Sequence, residues 1–156
     1  MLSVKEVEEQ LRGQGPDPFD KRLTLERFVQ RFAKKRGALK TAMMDQNVIS
    51  GIGSVYSDEI CFAAEVRPDA KIPIIEHETW ERLYNAMHNV LKEAISYGGA
   101  AEGPFTEGDA VTGGFAKRLR VYNREGQLCE QTGEVIEKIE VSGRKAFISP
   151  GYQKHQ

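Results

Sequence analysis

Residues 39–60, LKTAMMDQNVISGIGSVYSDEI, decide how this chain folds. Both ends of the stretch are apolar with helical spacing, and Gly51 and Gly53 break its middle. A helix is expected over Leu39–Met44 and a second from about Ser54 to Ala64, joined by a turn that only glycine accommodates easily. A turn that runs straight into a helix N-terminus presents unpaired N–H groups and the positive end of the helix dipole, which suits a phosphate. Ser54 at the cap would add a hydroxyl. The same turn is also the shape of a tight helix–helix connection that binds nothing, and the stretch alone leaves both readings open. A dinucleotide fingerprint is excluded, because Tyr56 stands where the third glycine belongs and no strand precedes the turn. The missing GK[ST] likewise excludes a P-loop.

Outward from the turn, Thr24 is a plausible N-cap for a helix carrying Leu25, Phe28, Val29 and Phe32 on one face, closed by KKRG at 34–37. Downstream, Trp80, Leu83, Tyr84, Met87, Val90, Leu91, Ala94 and Ile95 repeat at helical spacing in the longest helix, with Gly98 suited to its C′ position. A short helix is expected over 4–12, and the six glycines of 98–114 read as a long loop. The period then changes. AKRLRVYNREG, EVIEKIEV and RKAFIS read as short strands, with Ser142 and Gly143 making a tight hairpin turn. The expected fold is mainly α: a connector over 1–20, a helical body over 21–114 and a small β-hairpin unit over 115–156.

The chain of 156 residues, 40% hydrophobic and 29% charged, has the composition of one soluble globular unit rather than a disordered or membrane-spanning chain. The two cysteines, Cys61 and Cys129, lack a disulfide spacing pattern and fit a reduced, cytoplasmic protein. The formal net charge of −1 hides local asymmetry. Residues 21–40 hold eight cations (Lys21, Arg22, Arg27, Arg31, Lys34, Lys35, Arg36 and Lys40) against Glu26 alone. A second basic set comprises Lys117, Arg118, Arg120 and Arg124. Two basic regions flanking a glycine turn point to a polyanionic partner, whereas two solvated faces would need no partner at all.

The stretch LKTAMMDQNVISGIGSVYSDEICFAAEVRPD also resembles the helix-two-turns-helix segment of the formamidopyrimidine-DNA glycosylase/endonuclease VIII family of base-excision-repair enzymes. That pattern runs I-K-x-x-L-x-D-Q-x-x-x-x-G-x-G-N-I-Y-x-x-E-x-L-F-x-A-x-I-x-P. The upstream GPDP and KKRG, the SYGGA after the long helix, and GGFAKRLRVYNREGQLC extend the likeness over roughly residues 13–153. The resemblance implies that Lys40 lies near a DNA backbone and that Gly53, Ser54 and Tyr56 form the phosphate-holding turn. It also implies that Tyr122 reaches a second phosphate and that Arg144, at the hairpin tip, clamps the backbone around an everted nucleotide. The implied partner is double-stranded DNA carrying a lesion or abasic site.

Departures from the pattern shape the expectation. Ser54 replaces an asparagine and has less reach, and Asn123 replaces a glycine at a position suited to positive φ. The family's four finger cysteines are reduced to Cys129, with Thr132, Ser149 and Tyr152 in the other places. A zincless finger without metal or cofactor is therefore expected, held by hairpin pairing and by packing of Val135, Ile139, Val141 and Phe147. His77, His88 and His155 are scattered and read as ordinary helix or surface residues. The family's nucleophile is an N-terminal proline on a separate β-sandwich domain, and here Leu2 follows Met1. No catalytic residue is therefore assigned, and the chemistry is expected from a separate or missing catalytic domain. Two rival readings stand beside DNA binding. One is a fragment of a glycosylase, or a residual abasic-site lyase using Lys5 or Lys40 as the amine. The other is a regulatory or protein-interaction remnant that has lost DNA binding.

Overall fold

The computed structural model describes residues 15–96 and 119–156. The expected helix over 4–12, Gly98 and the glycine-rich loop lie outside these residues, as do Lys5, Lys117 and Arg118. Within them the fold is a helical body followed by a two-stranded antiparallel hairpin. In chain order the elements are α1 (Leu25–Phe32), α2 (Leu39–Met43), α3 (Ser54–Ala63), a 3-10 turn (Ile72–Ile74), α4 (His77–Ser96), β1 (Glu137–Val141) and β2 (Arg144–Ile148).

Helix α1 starts where its chemistry demands, with the Thr24 hydroxyl oxygen accepting from the Arg27 amide at 3.3 Å. Phe28 and Phe32, one turn apart, bury their rings against each other and against Trp80 of α4. Helix α4 buries Trp80, Leu83, Met87, Val90, Leu91 and Ala94 along the expected stripe, though Ile95 at its end is 44% exposed. Ile95, the last residue of that spacing pattern, therefore lies outside the core. Tyr84 is half-buried, and its hydroxyl donates to the Leu23 carbonyl at 2.6 Å. His88 sits beneath it, bonded to the Pro18 carbonyl at 2.8 Å.

Helix α3 is buried on nearly every side, which marks a central element rather than a surface helix. It packs on α2 and α4 and also touches β2. Its C-terminus closes with Glu65 at φ 61°, where the Val66 amide reaches back to Cys61 and the Glu65 amide to Phe62. The connector GPDP packs onto the two turns, since Gly15 donates to the Gln46 carbonyl and Ser50 donates to that of Pro16. A Cβ on Gly15 would lie inside contact distance of the Val48 carbonyl group and the Ile49 nitrogen, all of it backbone. Gly15→Ala should therefore cost about 1–3 kcal/mol in urea denaturation, because this backbone cannot step aside as a flexible side chain would.

The finger hairpin pairs Glu137 with Ile148 and Val141 with Arg144 at its two ends. Ser142 and Gly143 form the turn at φ 51° and 81°, both left-handed, as a two-residue hairpin of this twist requires. Two expectations need correction here. Residues 119–126 make turns instead of a strand, because the amides of Arg120, Val121 and Tyr122 bond to a side chain and that of Arg124 turns back to the Val121 carbonyl. Val135 is 54% exposed, and its neighbour Ile136 takes the buried place with Cys129, Val121, Phe147 and the α3 residue Phe62. Val141 and Phe147 are buried as expected, and Ile139 is partly so. The C-terminal tail returns to the body, with Lys154 pairing beside Val66 and the Thr79 hydroxyl donating to the Gln156 carbonyl at 2.6 Å.

Candidate nucleic-acid interface

Gly51 turns the chain in the left-handed region at φ 89°. Its amide donates to the Gln46 Oε1 at 2.7 Å, and the Gln46 amide nitrogen donates to the carbonyls of Met44 and Ile52. Gln46 thus braces the turn from within. Arg31 donates to the Val48 and Asn47 carbonyls, so this cation of the basic run fastens the turn. Gly53, at φ −108°, is the N-cap of α3, which makes Ser54 the first helical residue rather than the cap. Ser54 is half-buried, and its carbonyl accepts from Lys40 Nζ at 3.0 Å and from the Ser57 hydroxyl at 2.9 Å.

Lys40 points inward. Its side chain has 0% exposure, and its ammonium lies 2.7 Å from Asp58 Oδ1, itself at 0%. In this structure its ammonium faces Asp58 and the Ser54 carbonyl rather than solvent. Tyr56 is likewise buried, at 1%, within the main core cluster. The surface-facing members of the expected set are Ser54, the half-buried Tyr122 and the exposed Arg144. Tyr122 packs edge-on to Phe147 at 5.0 Å between centroids, with the Lys145 ammonium 5.9 Å from its ring. Asn123 holds φ 59°, the conformation anticipated where the family pattern has glycine.

Two adjacent acids organise the region, Asp58 at a variable position of the family pattern and Glu59 at its fixed glutamate. Asp58 accepts from Lys40 through Oδ1 and from the Phe147 amide through Oδ2 at 3.2 Å. Glu59 accepts from the amides of Arg120, Val121 and Tyr122 at 2.8, 2.9 and 3.0 Å. Burial pushes the Asp58 carboxyl up to about 7 against the pull of Lys40, and pushes Glu59 up against its three amide donors. Burial also raises the Cys61 thiol, which lies 3.8 Å from the Met43 sulfur in the core. The sequence does carry one signal for the carboxylates. Adjacent acids in an otherwise apolar, fully buried helix need partners, and those partners must come from elsewhere in the chain.

The four positions that align with zinc ligands are joined by other means. Cys129 is buried, Thr132 and Ser149 hydroxyls lie 2.9 Å apart, and the Tyr152 ring packs on Phe62 at 5.1 Å. The Glu134 carboxylate accepts from the Ser149 hydroxyl and from the amides of Gly151 and Tyr152. One thiol among hydroxyls that already bond to each other does not fit a tetrahedral zinc site. Among the described residues no group of three or more His, Cys, Asp or Glu is placed to hold a metal.

A helical body whose glycine turn feeds a buried helix, carrying a hairpin finger on that same helix, defines a helix-two-turns-helix protein with an appended finger. Residues 14–104 match the family described as the formamidopyrimidine-DNA glycosylase H2TH domain, and the chain belongs to that family. It is 33% identical over 140 residues to formamidopyrimidine-DNA glycosylase of Listeria monocytogenes serovar 1/2a, covering 90% of this chain and 51% of that protein. Among solved structures, the MutM (Fpg) protein of Thermus thermophilus superposes with a TM-score of 0.80 at 29% identity, covering 97% of this chain and 57% of that one. The Lactococcus lactis enzyme in complex with FAPY-dG-containing DNA gives 0.83 at 25%, covering 97% and 56%. The chain spans about half the length of the curated relatives it matches.

Proposed function

We propose that this chain is a damaged-DNA-binding module of a base-excision-repair protein, gripping backbone phosphates beside an abasic or oxidised-base site. The observation that carries the reading is the architecture around α3. Its N-terminus opens at the glycine turn, and its flank holds both Tyr122 and the strand that begins at Arg144. The L. lactis relative, solved in complex with FAPY-dG-containing DNA, shares this fold over 97% of the present chain. The direct phosphate contacts are assigned to the Gly53–Ser54 turn, Tyr122 and Arg144. Lys40 and Tyr56 support them from inside, through the Ser54 carbonyl and the core respectively.

The glycosylase and lyase chemistry of such a protein belongs, in this reading, to a catalytic domain joined to or associated with this module. A cytoplasmic, nucleoid-associated location follows from a DNA partner. No helix among the described residues is long and apolar enough to cross a membrane.

Titration of a fluorescent duplex containing an abasic analogue, at several salt concentrations, tests the reading. Arg144→Ala should weaken binding about tenfold or more, the size of one charge-assisted hydrogen bond. It should also make the dependence of log affinity on log salt shallower by about one, for one lost phosphate contact. An affinity and a salt slope both indifferent to Arg144→Ala would overturn the assignment.

A further inference from the structure

A continuous set of buried contacts joins the parts of the interface. The Ser54 carbonyl accepts from Lys40, Lys40 pairs with Asp58 Oδ1, and Asp58 Oδ2 accepts from the Phe147 amide, three residues along β2 from Arg144. The next residue of the helix, Glu59, gathers the amides of Arg120, Val121 and Tyr122. Lys40, Asp58 and Glu59 are exposed by 0%, 0% and 3%, so water cannot substitute for any of these partners.

The chemistry of the acceptors matters. The amides of residues 120–122 come from a turn segment outside any strand and converge on a single side chain. An ionised carboxylate offers lone pairs on both oxygens and no donor, so it can serve all three. An amide in its place presents a donor to donors. Apolar side chains of the same volume would fill the space, but they would leave these buried amides without acceptors and fix no register between the helix and the segments that cross it.

We propose that Asp58 and Glu59 are positioning residues that set the spacing between the Gly53–Ser54 turn and the finger contacts Tyr122 and Arg144, so that the phosphate contacts act as one clamp. The inference rests on the DNA-binding reading above and adds a dependence between contacts that separate sites would lack. Neither carboxylate touches DNA. Any charge that either carries is negative, so neutralising one ought to favour a polyanion if it acted through charge alone. The proposal requires the opposite sign.

The experiment is a double-mutant cycle on the abasic-analogue duplex with wild type, Arg144→Ala, Asp58→Asn and the double variant. Circular dichroism confirms that each is folded at the temperature used. Asp58→Asn keeps an acceptor for Lys40 but turns a donor towards the Phe147 amide. Its salt slope should become shallower by about one, as for loss of Arg144 itself. In that background Arg144→Ala should cost less than about threefold, well short of its effect in the wild type. Glu59→Gln supplies the second variant if Asp58→Asn does not fold, with the same expected change of slope. Wild-type binding with additive effects, or with a slope unchanged or steeper in both carboxylate variants, overturns the coupling and leaves the DNA-binding function standing. Absence of wild-type binding overturns that function and the coupling with it.

Discussion

Lys40→Ala should lower the unfolding free energy by about 3–5 kcal/mol at neutral pH, because it leaves a fully buried acid without its ion-pair partner. Asp58 is fully buried, and Lys40 is its ion-pair partner. The Ser54 carbonyl loses a donor in the same substitution. Replacing both members, as Lys40→Met with Asp58→Leu, should restore part of the loss, since an apolar pair needs no desolvation. Restoration stays incomplete because the Phe147 amide still loses its acceptor, a cost of about 1–3 kcal/mol. The pH dependence has a definite sign. Burial raises the Asp58 carboxyl to about 7, so the folded protein holds a proton that the unfolded chain has already lost. A raised group contributes stability that is fully present below its unfolded value, near 3.8, and lost as pH rises through its folded one. Removing Lys40 raises Asp58 further, so the window extends upward and the deficit of the variant shrinks on acidification. Urea denaturation at pH 5 and pH 8 measures it. A deficit below about 1 kcal/mol at pH 8, or one that grows towards pH 5, would mean that the pair is solvated like a surface bridge.

The contrast between Lys40 and its neighbours explains what the sequence could and could not disclose. Residues 21–40 read correctly as basic, yet sequence counts charges without their partners. Lys35 pairs with Asp45, Arg31 fastens two carbonyls of the turn, and Lys40 meets an acid eighteen residues away in the core. Elements governed by local periodicity were legible. The stripe of α4 follows helical spacing along one face, and the Ser142–Gly143 turn follows from the residues that tolerate positive φ. Residues 119–126 were not, because their alternation of apolar and polar residues imitates a strand. Their true acceptor, Glu59, lies some sixty positions earlier. The choice of Ile136 over Val135 for the finger core has the same origin. The bridge between Leu128 and Val135 sets the phase of that segment and turns both side chains outward. Ser54, Tyr122 and Arg144 could be named from the family pattern, and so could the position of Glu59, but the partners of the two carboxylates emerge only once the chain is folded.

Glu134→Ala should cost about 2–4 kcal/mol and loosen the finger end that a metal would otherwise close. A two-stranded hairpin is marginal alone, so this finger needs a second fastening. Glu134 supplies it from one residue. Its carboxylate accepts from the Ser149 hydroxyl and from the amides of Gly151 and Tyr152, while its own amide donates to the Thr132 hydroxyl at 3.2 Å. Its carbonyl accepts from the Cys129 amide at 2.7 Å. All four positions that align with zinc ligands are therefore bonded to a single acid. The backbone bond to Cys129 survives truncation to alanine, and the three side-chain bonds do not. Hydrogen exchange at Gly151 and Tyr152 should accelerate in the variant while the amide of Phe147, held by Asp58, stays protected. Glu134→Gln should fall between, because its Oε1 still accepts although the charge is gone. Unchanged exchange at Gly151 and Tyr152 would show that Phe62, Cys129, Ile136 and Phe147 hold the finger by packing alone. Because Asp58 holds β2 itself, at the Phe147 amide between Arg144 and the Glu134 closure, DNA affinity should suffer less from Glu134→Ala than from Asp58→Asn. That ordering separates the residue that closes the finger from the residue that aims it.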